Sequence, residues 1–226
     1  MTASPQKTDP FEILAFGSPE ADTLLIQPVD DHDLEVIESE VSHIRALTGG
    51  QAFRLLAVRI RDWNKDLSPW PAPAVFGNDD FGDGAPETLA CILKNVLPSP
   101  EDAEKQGIRR IFIGGYSLAG LFALWAGFRT PRFDGVAAAS PSVWFPHFAE
   151  YVENNPLSVP AVYLSLGDKE EKTRNPLMRE VGNEIRRTHA HLADSGIDCI
   201  LEWNKGNHFK EPDLRTAKGF AFLMNR

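Results

Sequence analysis

Three stretches of this chain carry side chains that could perform nucleophilic chemistry together. Ser117 lies in Gly115-Tyr116-Ser117-Leu118-Ala119, with small residues two before and two after the hydroxyl. His208 lies in Gly206-Asn207-His208-Phe209, and between the two Gly167-Asp168-Lys169-Glu170-Glu171 offers three carboxylates. A serine hydroxyl is a weak nucleophile until a base takes its proton, and an imidazole does this well when a carboxylate holds its other nitrogen. These residues therefore predict acyl transfer. Ser117 is the nucleophile, His208 the general base and then acid, and Glu170, Asp168 or Glu171, in that order of preference, the orienting acid.

Such groups work only if the backbone delivers them to one point. Ile111-Phe112-Ile113 reads as a buried strand, and Leu121 to Gly127 is apolar enough for a helix packed on both sides. A strand that turns directly into a helix through Gly-x-Ser-x-small is a nucleophile elbow. The strained turn needs small neighbours so that strand and helix can approach; here they are Gly115 and Ala119, the latter in place of the more usual glycine. A tight turn whose serine only caps the helix has the same local signature. What separates the two readings is the later arrival of an acid and then a histidine. His208 follows the last expected strand, whereas His32 precedes the elbow, His43, His189 and His191 fall within helices, and His147 follows Ser-Pro-Ser-Val-Trp-Phe-Pro.

The remaining chain alternates strand and helix. Strands are expected over Phe11 to Phe16, Thr23 to Gln27, Phe53 to Ile60, Gly135 to Ala139, Ala161 to Leu166 and Asp198 to Trp203. Helices are expected over Asp33 to Leu47, Pro86 to Leu97, Asn175 to Gly196 and Pro212 to Met224. The stretch Arg61 to Gly84 is too rich in Pro, Gly and Asp to be regular, and so long a loop is more often functional than idle. Alternation of this kind predicts a three-layer α/β/α sandwich with a mostly parallel sheet. In such sheets ligands bind at the carboxyl ends of the strands, where every candidate falls. Residues 1–10 are expected to be frayed and residues 11–226 to form a single domain.

Composition narrows the partners. The 226 residues are 42% hydrophobic, carry a net charge of −9 and show no basic cluster, which argues against nucleic acid and anionic membranes. No stretch reaches transmembrane length, and MTASPQKTDP lacks an apolar signal core. Cys91 and Cys199 stand in no metal spacing and read as reduced thiols of a cytoplasmic protein. Asn78 to Gly84 is acidic, but Ala90 occupies the position where a calcium loop needs its Glu. Asp30-Asp31-His32-Asp33 reads as a helix cap rather than a metal site.

An oxyanion needs at least two donors. Leu118 N–H, directly after the nucleophile, is one. The other is expected after the strand Thr23 to Gln27, from Val29 or Asp30, because Pro28 has no N–H. For the substrate, Trp63, Trp70, Phe76, Phe81, Trp144 and Phe145 all follow strands on the active-site edge; Trp144, Trp70, Trp63 and Tyr116 are the expected contacts, with core packing the competing role.

Taken together, GGYSLAGLFALWA, AASPSVWF, LSLGDKEE and GNHF resemble the esterase branch of the α/β-hydrolase fold that includes siderophore (enterochelin-type) esterases, feruloyl esterases and esterase D. Ser-Pro-Ser-Val-Trp-Phe and the Gly-Asp-Lys-Glu loop are most like the siderophore esterases. The resemblance implies hydrolysis of a small or medium acyl or aryl ester through an acyl-enzyme, with no metal or organic cofactor and with Glu170 as the acid. It departs from the family at Ala119 and at Gln27-Pro28-Val29, and against the family the chain is short, which implies a compact α/β-hydrolase fold without a large lid. A hydrolase-fold binder without catalysis, and a thioesterase, acyl transferase or peptidase using the same three residues, are the alternatives at this point; monomer and homodimer are both open.

Overall fold

The computed structural model describes residues 11–75 and 77–226; the 1–10 stretch and Phe76 lie outside the described residues. Seven strands make one sheet: β1 (Glu12–Gly17), β2 (Thr23–Val29), β3 (Arg54–Arg59), β4 (Arg110–Tyr116), β5 (Gly135–Ala139), β6 (Ala161–Gly167) and β7 (Asp198–Asn204). Their order is β1-β3-β2-β4-β5-β6-β7, parallel throughout except for β1, which runs antiparallel along β3. This is the mostly parallel, helix-flanked sheet expected from the alternation of elements, and it agrees with the α/β-hydrolase fold that the resemblance implies. β4 sits in the middle, so the turn at its carboxyl end opens onto the centre of the sheet edge.

Because side chains alternate across a strand, the sheet feeds two cores. Leu25, Val29, Leu55 and Ala57 face one layer, formed by α1 (Asp31–Leu47) and α9 (Pro212–Met224) through Ile37, Val41, Ile44 and Phe220. Ile26, Leu56, Val58 and Ile113 face the other, where α5 (Ser117–Arg129) is buried from Leu118 to Phe128.

Differences from the sequence expectations are local and have physical causes. α1 starts at Asp31 because Asp30 and Asp33 form a reciprocal capping box. Within Arg61 to Gly84 a short helix α2 (Trp63–Asp66) forms, with Asp62 as its cap, and Ala72 bridges Phe81. The helix expected to run from Pro86 to Leu97 is α3 (Ala85–Cys91) followed by a π-turn over Ile92–Val96, closed by Leu97 N–H to the Ile92 carbonyl. α4 (Pro100–Lys105) and α6 (Phe148–Asn154) escaped the periodicity reading because each is only about two turns long. The helix begun by the Asn175 cap divides at Glu180 into α7 (Pro176–Arg179) and α8 (Val181–Asp194).

Candidate active site

β4 ends at Tyr116, and Ser117 takes φ 56°, a left-handed backbone rare for a residue with a side chain. This sharp bend lifts the hydroxyl clear of both strand and helix. The small neighbours are needed for contact: a Cβ on Gly115 would lie 2.7 Å from the Ala119 methyl. Ala119 is accommodated because Gly115 has no side chain, which accounts for its departure from glycine.

His208 follows β7 and reaches this point. Its Nε2 lies 3.0 Å from Ser117 Oγ, and its Nδ1 lies 2.7 Å from Glu170 Oε2. Ser117, separated from His208 by 91 residues of chain, is thus in direct hydrogen-bonding reach, while the histidine side chain stays 28% exposed toward solvent and substrate. The acid sits in a short 3₁₀ turn, Glu170–Lys172, immediately past β6.

Among the three carboxylates the geometry is selective. Glu170 is buried, and its Oε1 accepts from Gly167 N–H at 2.7 Å, Ser140 Oγ at 2.8 Å and Arg215 Nη1 at 3.0 Å. That leaves Oε2 for the imidazole. Asp168 instead accepts from Gly206 N–H at 2.8 Å, a bond that holds its carboxyl below the usual range and ties the histidine loop to the end of β6. Glu171 pairs with Arg186 at 3.0 Å. Gly167 must be glycine, since a Cβ there would meet Gly206 O at 2.4 Å and Glu170 Oε1 at 2.9 Å.

Three participants were not assigned from sequence. Arg215 is fully buried, and its Nη2 also donates to the Lys205 and Asn207 carbonyls, at 3.2 and 3.1 Å, so one guanidinium holds both the acid and the loop carrying His208. A signal for it existed: Arg215, Gly219 and Leu223 form one inward stripe of α9, and a cation on such a stripe needs a buried acceptor. Ser140, with φ 42°, serves Glu170. Ser142 N–H donates to the Ser117 carbonyl at 3.0 Å, and its Oγ stands 3.4 Å from Ser117 Oγ. Ser140-Pro141-Ser142, noticed in the sequence only as a resemblance, therefore links acid and nucleophile.

Several expected contacts lie elsewhere. Tyr116 is buried, its hydroxyl donating to the His208 carbonyl at 2.8 Å and accepting from Arg215 at 3.1 Å; burial and the nearby Glu170 push it up to about 12. It braces the histidine loop instead of facing a substrate. Trp70 packs on Phe145, Phe148 and Tyr151 and donates its indole N–H to the Pro146 carbonyl at 2.9 Å. Trp63 lines an open groove with Asp30 and Arg59, whereas Trp144 lines a cavity of about 260 Å³ bounded by Glu170 and His208. Phe81 packs edge-on to Trp144 and Phe145.

The stretch expected to supply the second oxyanion donor is built into local structure. β2 continues through Pro28 to Val29, so the connection to α1 is the single residue Asp30. Asp30 N–H donates to Asp33 Oδ2 at 3.1 Å as part of the cap. Val29 stands in register with Arg59, and its carbonyl accepts from Ile60 N–H at 2.9 Å. Leu118, by contrast, occupies the first turn of α5, where backbone N–H groups have no partner within the helix. Among the described residues no group of three His, Cys, Asp or Glu side chains is arranged to hold a metal, and no helix is long and apolar enough to cross a membrane.

No protein-family model matches the sequence, and no curated protein matches it significantly. Solved structures do share its fold. The siderophore hydrolase EstA from Aspergillus nidulans superposes with a TM-score of 0.73 at 22% identity, over 97% of this chain and 91% of that one. An IroE-like serine hydrolase from Shewanella oneidensis gives 0.72 at 15% identity, over 95% of this chain and 76% of that one. The enterobactin esterase FES from Shigella flexneri, solved with 2,3-di-hydroxy-N-benzoyl-glycine, gives 0.64 at 15% identity; the match covers 95% of this chain and 55% of the esterase.

Proposed function

We propose that this protein, built on the fold of those hydrolases, is a serine esterase that cleaves a carboxylic ester through an acyl-enzyme. The observation that carries the reading is the unbroken line Glu170–His208–Ser117, with separations of 2.7 and 3.0 Å. Ser117 Oγ attacks the ester carbonyl as His208 Nε2 takes its proton; Glu170 Oε2 accepts the Nδ1–H and stabilises the imidazolium. The negative oxygen of the tetrahedral intermediate forms at the start of α5, where Leu118 N–H and the helix dipole favour it. His208 then protonates the leaving alcohol, and water enters by the reverse path to release the acid. Asp30 N–H is engaged in its cap, so a second donor from that junction requires the cap to open when substrate binds. The proposal extends to the setting: neither Cys91 nor Cys199 is in a disulfide, as in a cytoplasmic protein.

Labelling with a fluorophosphonate probe tests the assignment. Wild type should be modified at Ser117 and hydrolyse short p-nitrophenyl esters, and Ser117→Ala should lose both. An unlabelled wild type that turns over no ester, or equal labelling of Ser117→Ala, would overturn it.

A further inference from the structure

The carboxylates of the Asp168–Glu171 loop are each held by a short-range protein partner, whereas Lys169 and Lys172 beside them form no ion pair. Glu170 is held by Arg215 and His208, Glu171 by Arg186, and Asp168 by Gly206 N–H. Among the described residues Lys65, Lys94, Lys169, Lys172 and Lys205 make no ion pair, whereas Lys105, Lys210 and Lys218 do. Of the unpaired lysines, Lys169 and Lys172 line the cavity of about 260 Å³ whose wall includes His208 and Glu170. In a chain of net charge −9 this is a local inversion of sign.

The rest of the cavity is largely apolar. Trp144, Met178 and Val181 form its sides, and Phe209 stands at its edge. Phe209 is 86% exposed, the most exposed large hydrophobic side chain among the described residues, and its ring meets that of His208 edge-on at 5.6 Å. An aromatic ring left in water next to a catalytic base gains free energy when a ligand covers it. The volume suits about one ring.

We propose that this cavity receives the alcohol half of the ester, and that this half is an apolar ring-sized body carrying a negatively charged group such as a carboxylate, recognised by Lys169 and Lys172. The inference rests on the serine-esterase reading above. The side of the reaction follows from proton transfer. The leaving oxygen must take its proton from His208 Nε2, so the group attached to it lies against the wall that contains His208. The acyl carbon is bound to Ser117, and its oxygen turns toward the start of α5.

The test uses 4-(butyryloxy)benzoate and its neutral analogue 4-(butyryloxy)benzamide, which form the same butyryl-enzyme. Each kcat/KM is divided by the ester's hydroxide-catalysed rate. Partly exposed ion pairs are weak, so two lysines should favour the carboxylate by about tenfold at low salt, falling toward unity near ~1 M salt. The double charge reversal Lys169→Glu/Lys172→Glu should invert the ratio, an outcome that a misfolded variant cannot produce. Placing the carboxylate on the acyl half, in monophenyl adipate, should give no preference over phenyl hexanoate. A wild-type ratio at or below one, a ratio unmoved by charge reversal, or a preference for the charged acyl group would each overturn the inference while leaving the esterase standing. If wild type hydrolyses none of these esters and Ser117 is not labelled, the esterase reading falls and takes this inference with it.

Discussion

Arg215 Nη1 lies 3.0 Å from Glu170 Oε1, and both side chains are buried, at 1% and 4% exposure. The Glu170 carboxylate is therefore fixed from behind: its inner oxygen is saturated by three donors and its outer oxygen is aimed at His208. The same guanidinium holds the loop on which His208 rides. Geometry and charge at the candidate site depend jointly on a residue in the closing helix that touches neither the Ser117 hydroxyl nor the His208 ring.

Replacing Arg215 should separate these roles. Arg215→Met leaves a buried carboxylate without its cation, which costs about 3–5 kcal/mol and lowers Tm by roughly 10 °C for a chain of this size. The loop carrying His208 also loses the two carbonyl contacts that Arg215 makes, so kcat should fall even at temperatures where the variant is fully folded. Arg215→Lys keeps the charge but loses the fork that reaches several acceptors at once. It should recover part of the stability and less of kcat. A lower Tm with kcat unchanged in both variants would reduce Arg215 to a packing role.

Glu170→Gln and Asp168→Asn provide a direct comparison of the candidate acids. An amide at 170 stabilises the wrong imidazole tautomer and should lower kcat by roughly 10⁴-fold. An amide at 168 can still accept from Gly206 N–H through its oxygen, so kcat should stay within a few-fold of wild type. Comparable losses in the two variants would contradict the assignment of Glu170. Steady-state kinetics on p-nitrophenyl butyrate, with Tm measured alongside, is sufficient.

The contrast between these acids shows what the sequence can and cannot reveal. Ser117, Glu170 and His208 each follow a strand end, and strand ends are legible from short apolar runs; β5 and α9 fall where the sequence put them, residue for residue. The spacing after Gly167 favoured Glu170, but only coordinates show Asp168 turned to a backbone N–H. The junction expected to hold the second oxyanion donor is shorter than the sequence suggests, because Pro28 looks like the end of a strand and is not. β2 pairs with β4 only as far as Ile26, so beyond it the missing N–H of Pro28 falls where that side of the strand has no ladder. Ser140 and Ser142 act through contacts formed only when distant segments meet, and no local spacing encodes them; for Arg215 the stripe on α9 signals burial but not which acceptor it meets.

The elbow has little room for change. Gly115→Ala would place a methyl 2.7 Å from the Ala119 methyl and 3.0 Å from its carbonyl carbon. Overpacking of this kind costs about 1–3 kcal/mol, so Tm should fall by about 2–10 °C and fluorophosphonate labelling should slow. Adding Ala119→Gly removes one clash but not the carbonyl 3.1 Å away, so the double variant should recover only part of the loss. Full recovery would show that the methyl contact alone sets the constraint.

Stability should also respond to pH through Gln27 of β2 and Glu40 of α1, which are both buried. Gln27 Nε2 donates to Glu40 Oε2 at 3.2 Å, while Gln27 Oε1 and Glu40 Oε1 are both buried without a partner. A proton on Glu40 Oε1 satisfies both atoms at once, closing a ring of two hydrogen bonds between acid and amide. Burial, with Asp33 and Asp213 nearby, pushes the Glu40 carboxyl well above the usual range, and burial with the adjacent Asp30 raises Asp33 to about 7. Both groups are raised in the folded state, so between about pH 4 and 7 the folded chain holds protons that the unfolded chain has released. Their contribution is complete at the acid end of that window and is lost as pH rises through it. Glu40→Gln keeps a neutral, similarly shaped partner able to make both bonds. Its stability, measured by urea unfolding from pH 5 to 9, should fall less steeply with pH than wild type and exceed it at the alkaline end. Parallel curves, with the variant less stable at every pH, would mean that Glu40 is ionised in the folded protein and that the acid–amide ring does not form.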